Sequence, residues 1–158
     1  MVKITKDLLI VGRNTNFNCS NSQGLSVLHA CKHPCYTKKV GGQLHKNHPN
    51  YLYVETEHNL FLNIIDPPKP LFDVRLFTKS IKWIDKQIKL GRITVIHCNQ
   101  GVSRSPSLAL VWLASQRGIS TSSYQAAAND FIQLYPQYNP GEGIKIFLTQ
   151  HWKDIIPC

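Results

Sequence analysis

Acidic side chains are scarce in this chain: nine Asp and Glu stand against eighteen Lys and Arg over 158 residues, a formal charge of +9. The long-range field therefore attracts anions, and nucleic acid, phosphoproteins and phosphate esters all qualify. Runs of like charge are missing as well. None is longer than the pair Lys38 and Lys39, so a dedicated nucleic-acid arm has no support and no nucleic-acid partner is expected. No apolar run reaches the roughly 18 residues of a membrane span, and Asp7 interrupts the start where a signal segment would lie. A cytoplasmic protein without a membrane partner is the expectation. Linkers, repeats and low-complexity tracts are also absent, which leaves one domain, residues 1–158, expected to be a monomer.

Five cysteines are present: Cys19, Cys31, Cys35, Cys98 and Cys158. An odd count in a chain too large to need stapling argues for reduced thiols over a disulfide framework. The sequon at Asn18 has no meaning in the cytosol.

Short apolar runs bounded by turn residues, "DLLIVG" (7–12), "LSVLHA" (25–30), "YLYV" (51–54) and "LFLNII" (60–65), read as buried strands. After the helix-incompatible "DPPKP" (66–70), Val74, Phe77, Ile81, Ile84 and Ile88 recur at spacings of three and four, the pattern of an amphipathic helix that Gly91 ends. The β-branched "ITVIH" (93–97) is too short for a helix and reads as a central strand. Ser105 and Pro106 fit an N-cap and first helical position, and the all-apolar "LALVWLA" (108–114) predicts a buried helix running to Gly118. Two more helices are expected over about 122–134 and 143–155, separated by "YPQYNPGEG". This order is that of an α/β domain with helices on both faces of its sheet. Residues 31–50 are the one long irregular segment, expected on the surface near a site.

Between that central strand and that buried helix stands "HCNQGVSRS" (97–105). A strand-to-helix loop aims backbone N–H groups and the helix dipole at one point, which attracts an anion. Gly101 allows the tight turn and close approach to a ligand. At the same point the chain places Cys98, and a thiol beside convergent N–H donors and a guanidinium is expected to stand as a thiolate, a nucleophile at neutral pH. Arg104 offers a planar fork that grips two oxygens of a tetrahedral oxyanion. Phosphoryl transfer to sulfur is the reaction these parts suit. His97 is expected to orient the loop and not to act as a base, while Ser105 can cap the helix and also donate to the departing sulfur.

The loop matches the HCxxGxSRS form of the HCx5R signature of cysteine-dependent protein phosphatases, and its "SRS" ending resembles the dual-specificity subfamily. "IIDPP" and "YPQYNPGEG" look like that family too, so the resemblance covers roughly residues 60–150. It implies a central mixed sheet of about five strands flanked by helices, with the phosphate loop formed by Asn99, Gln100, Gly101, Val102, Ser103 and Arg104. It also implies an aspartic acid that protonates the leaving alcohol. Asp66, 32 residues before Cys98 on a Pro-stiffened loop, is the candidate; Asp73 is the rival, but a carboxylate at a helix start is explained by the dipole alone. Asn139 resembles an asparagine that buttresses the cradle, and an ordinary turn asparagine is an equal reading. No cofactor or metal is required.

The implied activity is hydrolysis of phosphotyrosine and phosphoserine or phosphothreonine in proteins or peptides. The uncharged Asn99, Gln100 and Val102 lack the lysines of phosphoinositide-specific relatives and differ from the loop of RNA-directed ones. The alternatives are a phosphatase for a phosphoinositide, RNA or glycan ester, an inactive phosphate-binding adaptor, and a sulfurtransferase, which would have no use for Asp66. A separate cluster, His29, Cys31, His33 and Cys35, occupies alternate positions and would point one way on an extended chain, as zinc ligands do. Its spacing is not that of CxxC knuckles and Pro34 interrupts it, so the reading is no metal. A disulfide from Cys31 or Cys35 to Cys98 is a further idea that sequence cannot test.

Overall fold

The computed structural model describes residues 2–11 and 25–157. Asn18, Cys19 and Cys158 lie outside the described residues. Six strands form one sheet: β1 (Val2–Lys3), β2 (Leu8–Val11), β3 (Ser26–His29), β4 (Tyr53–Glu55), β5 (Asn59–Leu62) and β6 (Thr94–His97). Their spatial order is β1-β2-β6-β3-β5-β4. The inner strands β2, β6, β3 and β5 run parallel, and β1 and β4 close the two edges antiparallel. The sixth strand is the two-residue β1, too short to leave a periodic signal.

Side chains alternate across this sheet as period-two geometry requires. Leu28, Leu60, Leu62 and Ile96 enter the main core with the helices α2 (Val74–Lys89), α3 (Arg104–Ser115), α4 (Tyr124–Leu134) and α5 (Glu142–Ile155). On the other face Phe61 meets Cys31 and, from a kinked helical turn, Lys32–Tyr36, that follows it and runs on into α1 (Thr37–Val40), Cys35 and Tyr36. Helices therefore cover both faces, unequally. Residues 31–36 thus depart from the expected irregular surface segment: they are partly helical and bury two cysteines and a tyrosine, because Phe61 needs a cover. The Tyr36 hydroxyl donates to the Asn50 and Tyr51 carbonyls at 2.6 and 2.8 Å and ties down the exposed stretch that follows.

Helix α3 is buried on all sides from Ser105 to Ala114, as its uniform apolarity predicts. Its large side chains each contribute about 1.5–3 kcal/mol by leaving water. Helix α2 buries Leu76, Phe77, Trp83 and Ile84, while Val74, Ile81 and Ile88 are only partly covered, so the buried stripe is rotated slightly from the expected one. Two further corrections concern starts. Helix α3 begins at Arg104 with Ser103 in the N-cap position, so Ser105 is in the first turn and not the cap. Pro106 is tolerated there because first-turn N–H groups have no intrahelical partner. Helix α4 begins at Tyr124, capped by the Ser123 hydroxyl, which accepts from Ala126 N at 3.2 Å.

The loop after β5 is seated on the start of α5. A Cβ on Gly143 would overlap the carbonyl oxygens of Pro67 and Lys69, backbone atoms that cannot swing aside. Gly143→Ala is therefore expected to displace the 66–69 loop and lower kcat with at most a small change in KM. Steady-state kinetics on a small aryl phosphate checks this, with circular dichroism as the folding control.

Candidate active site

Strand β6 lies between two parallel neighbours, and the loop 98–103 leaves its C-terminal end for the N-terminus of α3. That edge of a parallel sheet is where α/β folds bind ligands. Gly101 has φ +76°, a left-handed conformation that bends the loop back over Cys98 and that a side chain would resist. The consequence is specific: Gly101 N donates to Cys98 Sγ at 3.2 Å. From the first turn of α3 the Ser105 hydroxyl donates to the same sulfur, also at 3.2 Å. Cys98 is 1% exposed.

Arg104, the first helical residue, reaches across the mouth of the loop, and its Nη1 donates to the Ile64 carbonyl at 3.3 Å. Its Nε is buried with no hydrogen-bond partner among the described residues. A buried guanidinium N–H without an acceptor is costly, and an anionic oxygen held in the loop would satisfy it. Lys32 N donates to the same Ile64 carbonyl at 3.0 Å, so the strand end before Asp66 is pinned to both neighbouring segments.

Residues from the α4–α5 connection clamp the loop from behind. Asn139 N donates to the Val102 carbonyl at 2.8 Å, Gly141 N to the Ser103 hydroxyl at 2.9 Å, and the Tyr135 hydroxyl to the Gly101 carbonyl at 2.7 Å. Asn139 thus supports the loop through its backbone. Burial, and next the electrostatic influence of the neighbouring Cys98, push the Tyr135 phenol up. Tyr138, fully enclosed, exchanges hydrogen bonds with Ser107 and Tyr124 at 3.0 Å each, and burial holds its phenol far above the ordinary value. Nothing local in "YPQYNPGEG" marks Tyr135, Tyr138 or Gly141 as functional; only their long-range contacts show what they hold.

Asp66 and Asp73 part company here. The exposed Asp66 carboxylate lies against Gly141, where an added Cβ would stand 2.5 Å from Oδ1, and Gly141 itself is bonded to the loop through Ser103. Asp73 is the N-cap of α2: its Oδ1 accepts from Arg75 N at 2.9 Å, and its two oxygens accept from Arg75 Nε and Nη2 at 2.9 and 2.7 Å. The Arg75 hydrogen bonds hold its carboxyl below the usual value, outweighing burial. Asp73→Ala is expected to cost about 1 kcal/mol of stability and leave turnover unchanged. A depressed folded value means that this stabilisation is full at neutral pH and fades as pH falls below about 3.8. Urea unfolding of wild type and variant at pH 7 and pH 3 measures both.

His97 is buried, and its Nε2 lies 2.7 Å from His29 Nδ1. Burial, then the neighbouring His29 and Arg104, lower the His97 pKa to about 3; burial lowers that of His29 to about 4. Both shifts favour the neutral rings at pH 7. The four alternate residues His29, Cys31, His33 and Cys35 do not converge as a group. His33 is exposed and faces Thr37, because residues 32–36 coil and the extended-chain alternation does not hold. No disulfide joins Cys31, Cys35 or Cys98. No helix among the described residues is long and apolar enough to cross a membrane.

No protein-family model and no curated protein matches the chain. Among solved structures it is similar to the human tyrosine phosphatase-like serine/threonine/tyrosine-interacting protein, with 18% identity, 97% of this chain and 95% of that chain covered, and a TM-score of 0.63. Human DUSP28 aligns with 14% identity over 99% of this chain and 95% of that one, at a TM-score of 0.65. The PTP-2 phosphatase of Cydia pomonella aligns with 17% identity over 94% and 88%, at a TM-score of 0.64. The chain has the fold of these proteins, that of the dual-specificity phosphatases.

Proposed function

We propose that the chain is a phosphomonoester hydrolase of the dual-specificity type, acting on phosphotyrosine and phosphoserine or phosphothreonine in proteins. The observation that carries this reading is the double donation from Gly101 N and Ser105 Oγ to a buried Cys98 sulfur, at a helix N-terminus beside a guanidinium with an N–H to spare. Cys98 Sγ attacks phosphorus, the S–P bond forms, and the P–O bond to the alcohol breaks as that oxygen takes the Asp66 proton. Arg104 and the amides of residues 99–104 hold the three equatorial oxygens, where charge spreads in the transition state. Water then gives its proton to the Asp66 carboxylate and attacks the phosphocysteine; the S–P electron pair returns to sulfur, and orthophosphate leaves. His97 positions the loop, and Asn139 supports it.

Ser105 assists the departure of the sulfur in the second step. Removing one hydrogen bond to a charged group costs about 1.5–3 kcal/mol, so Ser105→Ala is expected to slow turnover roughly 10- to 100-fold. The loss falls on breakdown of the phosphocysteine, so a burst of alcohol release precedes slow steady turnover. Stopped-flow measurement of an aryl phosphate reads that burst directly.

Substrate preference follows from what adjoins the loop. A cavity of about 290 Å³ lies beside the strand end that precedes Asp66, lined by Lys32, Tyr51, Asn63, Ile64 and Phe72 among others. Its lining carries one cation, Lys32, and one anion, Asp73, so the preference rests on the net charge of +9, which favours acidic peptide flanks. The thiol nucleophile suits a reducing compartment, and the cytoplasm is the proposed location. Phosphate release from aryl phosphate, phosphopeptides, phosphoinositides and phosphoglycans tests the reading. Activity on phosphopeptides above the other esters is expected; equal inactivity of wild type and a Cys98→Ser variant would leave an adaptor.

A further inference from the structure

Behind the phosphate loop, on the sheet face opposite the main core, the parallel register brings together residues far apart in sequence. His29 of β3 lies directly between His97 of β6 and Phe61 of β5. The Lys32–Tyr36 turn folds over this row and buries Cys31 and Cys35 against Phe61. The ligand atoms of His29, Cys35 and His97 all lie within 4.8 Å of one another, and all three residues are buried. Cys31 is buried as well and its thiol is in hydrogen-bonding contact with Cys35; it stands outside the three converging ligands and would swing in as the fourth.

We propose that His29 Nδ1, His97 Nε2, Cys35 Sγ and Cys31 Sγ form a buried structural site for one zinc ion.

Three physical points support it. The donor set is the two-nitrogen, two-sulfur combination that suits tetrahedral zinc and excludes the oxygen-seeking calcium and magnesium. The charges close: two thiolates and two neutral imidazoles cancel the +2 of the ion, whereas a single thiolate would leave net positive charge buried near Arg104. The ring of His29 is also preset, because its Nε2 is engaged by Asn59 Oδ1 at 3.0 Å, which leaves Nδ1 as the inward ligand, and the ring stacks flat on Phe61 at 4.3 Å. Binding would release the two thiol protons, move the His97 ring proton from Nε2 to Nδ1, and open the 2.7 Å nitrogen–nitrogen separation by several tenths of an ångström, toward the spacing that bonds of about 2.0–2.1 Å require.

The site differs from the four alternate residues of the sequence in exchanging exposed His33 for His97. It would tie the Lys32–Tyr36 turn to the strand end one residue before Cys98, so zinc would stiffen the base of the phosphate loop without entering the reaction.

The test uses the full chain carrying Cys98→Ser, so that the reactive sulfur contributes no signal. Reduced, chelator-stripped protein is titrated with Co²⁺ under nitrogen. One equivalent is expected to give tetrahedral d–d absorption in the visible and thiolate-to-cobalt charge transfer in the near ultraviolet, both erased by Zn²⁺. Cys31→Ala is expected to halve the charge-transfer band and Cys35→Ser to weaken both band and affinity, with circular dichroism reporting whether each folds. Zinc added to the stripped parent protein should also raise its Tm. Absence of the charge-transfer band in the parent, or a band of full intensity in both folded variants, overturns the site. So does a Cys31–Cys35 disulfide with no zinc in protein purified from zinc-supplemented cells. None of these readouts depends on phosphatase activity.

Discussion

Replacing Cys98 with serine is expected to lower kcat for an aryl phosphate by on the order of 10⁵- to 10⁶-fold, the scale seen when a nucleophile that works as part of a unit is lost. The reason lies in the loop and not in the thiol alone. Gly101 N and the Ser105 hydroxyl are placed 3.2 Å from sulfur, an environment that serves an anion, and a serine hydroxyl does not become one at neutral pH. Oxygen for sulfur is a small change in volume at a residue 1% exposed, so the fold should hold and Tm should move by only a few degrees. Binding should survive as well: the variant keeps Arg104 and the loop amides and is expected to hold a phosphopeptide with a Kd close to the wild-type KM. Steady-state kinetics and calorimetry separate the two effects. A variant that keeps most of its turnover would remove Cys98 from the reaction.

Asp66→Asn is expected to lower kcat about 10²- to 10⁴-fold on phosphoserine or alkyl substrates, whose leaving oxygen needs a proton. On an aryl phosphate with a strongly acidic phenol the first step loses little, because that oxygen departs as an anion unaided. The residual defect there reports the second step, in which the carboxylate takes a proton from water. The ratio of the two losses is therefore the diagnostic, and Asp73→Ala, which leaves both substrates unaffected, is the control. Equal losses on both substrates would point to a displaced loop, since Asp66 rests on Gly141 and its neighbours on Gly143. Gly143→Ala provides the comparison for that case.

Much of this was readable before any coordinates, for a physical reason: the loop's chemistry is local. "HCNQGVSRS" lies within nine consecutive residues, and its flanks are unambiguous, a β-branched strand on one side and an all-apolar helix on the other. Both elements appear as expected, at Thr94–His97 and Arg104–Ser115. The dual-specificity likeness drawn from that motif holds at the level of the fold. The assignment of Ser105 as cap failed because a cap is defined by backbone dihedrals, and a Ser-Pro pair fits the first turn as well as its edge. The alternate placing of His29, Cys31, His33 and Cys35 on one side holds only for an extended chain. Coiling of 32–36 turned His33 outward, while parallel pairing of β3 with β6 supplied His97 from 68 residues away. Gly141 and Gly143 could not be read at all, since their lack of a side chain acquires meaning only when the Asp66 loop is laid against them. The same is true of Tyr135, whose hydroxyl reaches Gly101 across 34 residues of sequence.

In the proposed reaction the phosphoryl group passes through a covalent bond to the Cys98 sulfur. Acid quenching of the protein during turnover of a ³²P-labelled phosphopeptide, followed by peptide mapping, measures this most directly. Label is expected on the peptide that contains Cys98, in greater yield with Ser105→Ala and absent from Cys98→Ser. Steady phosphate release with no label on that peptide in either the wild type or Ser105→Ala would contradict the account.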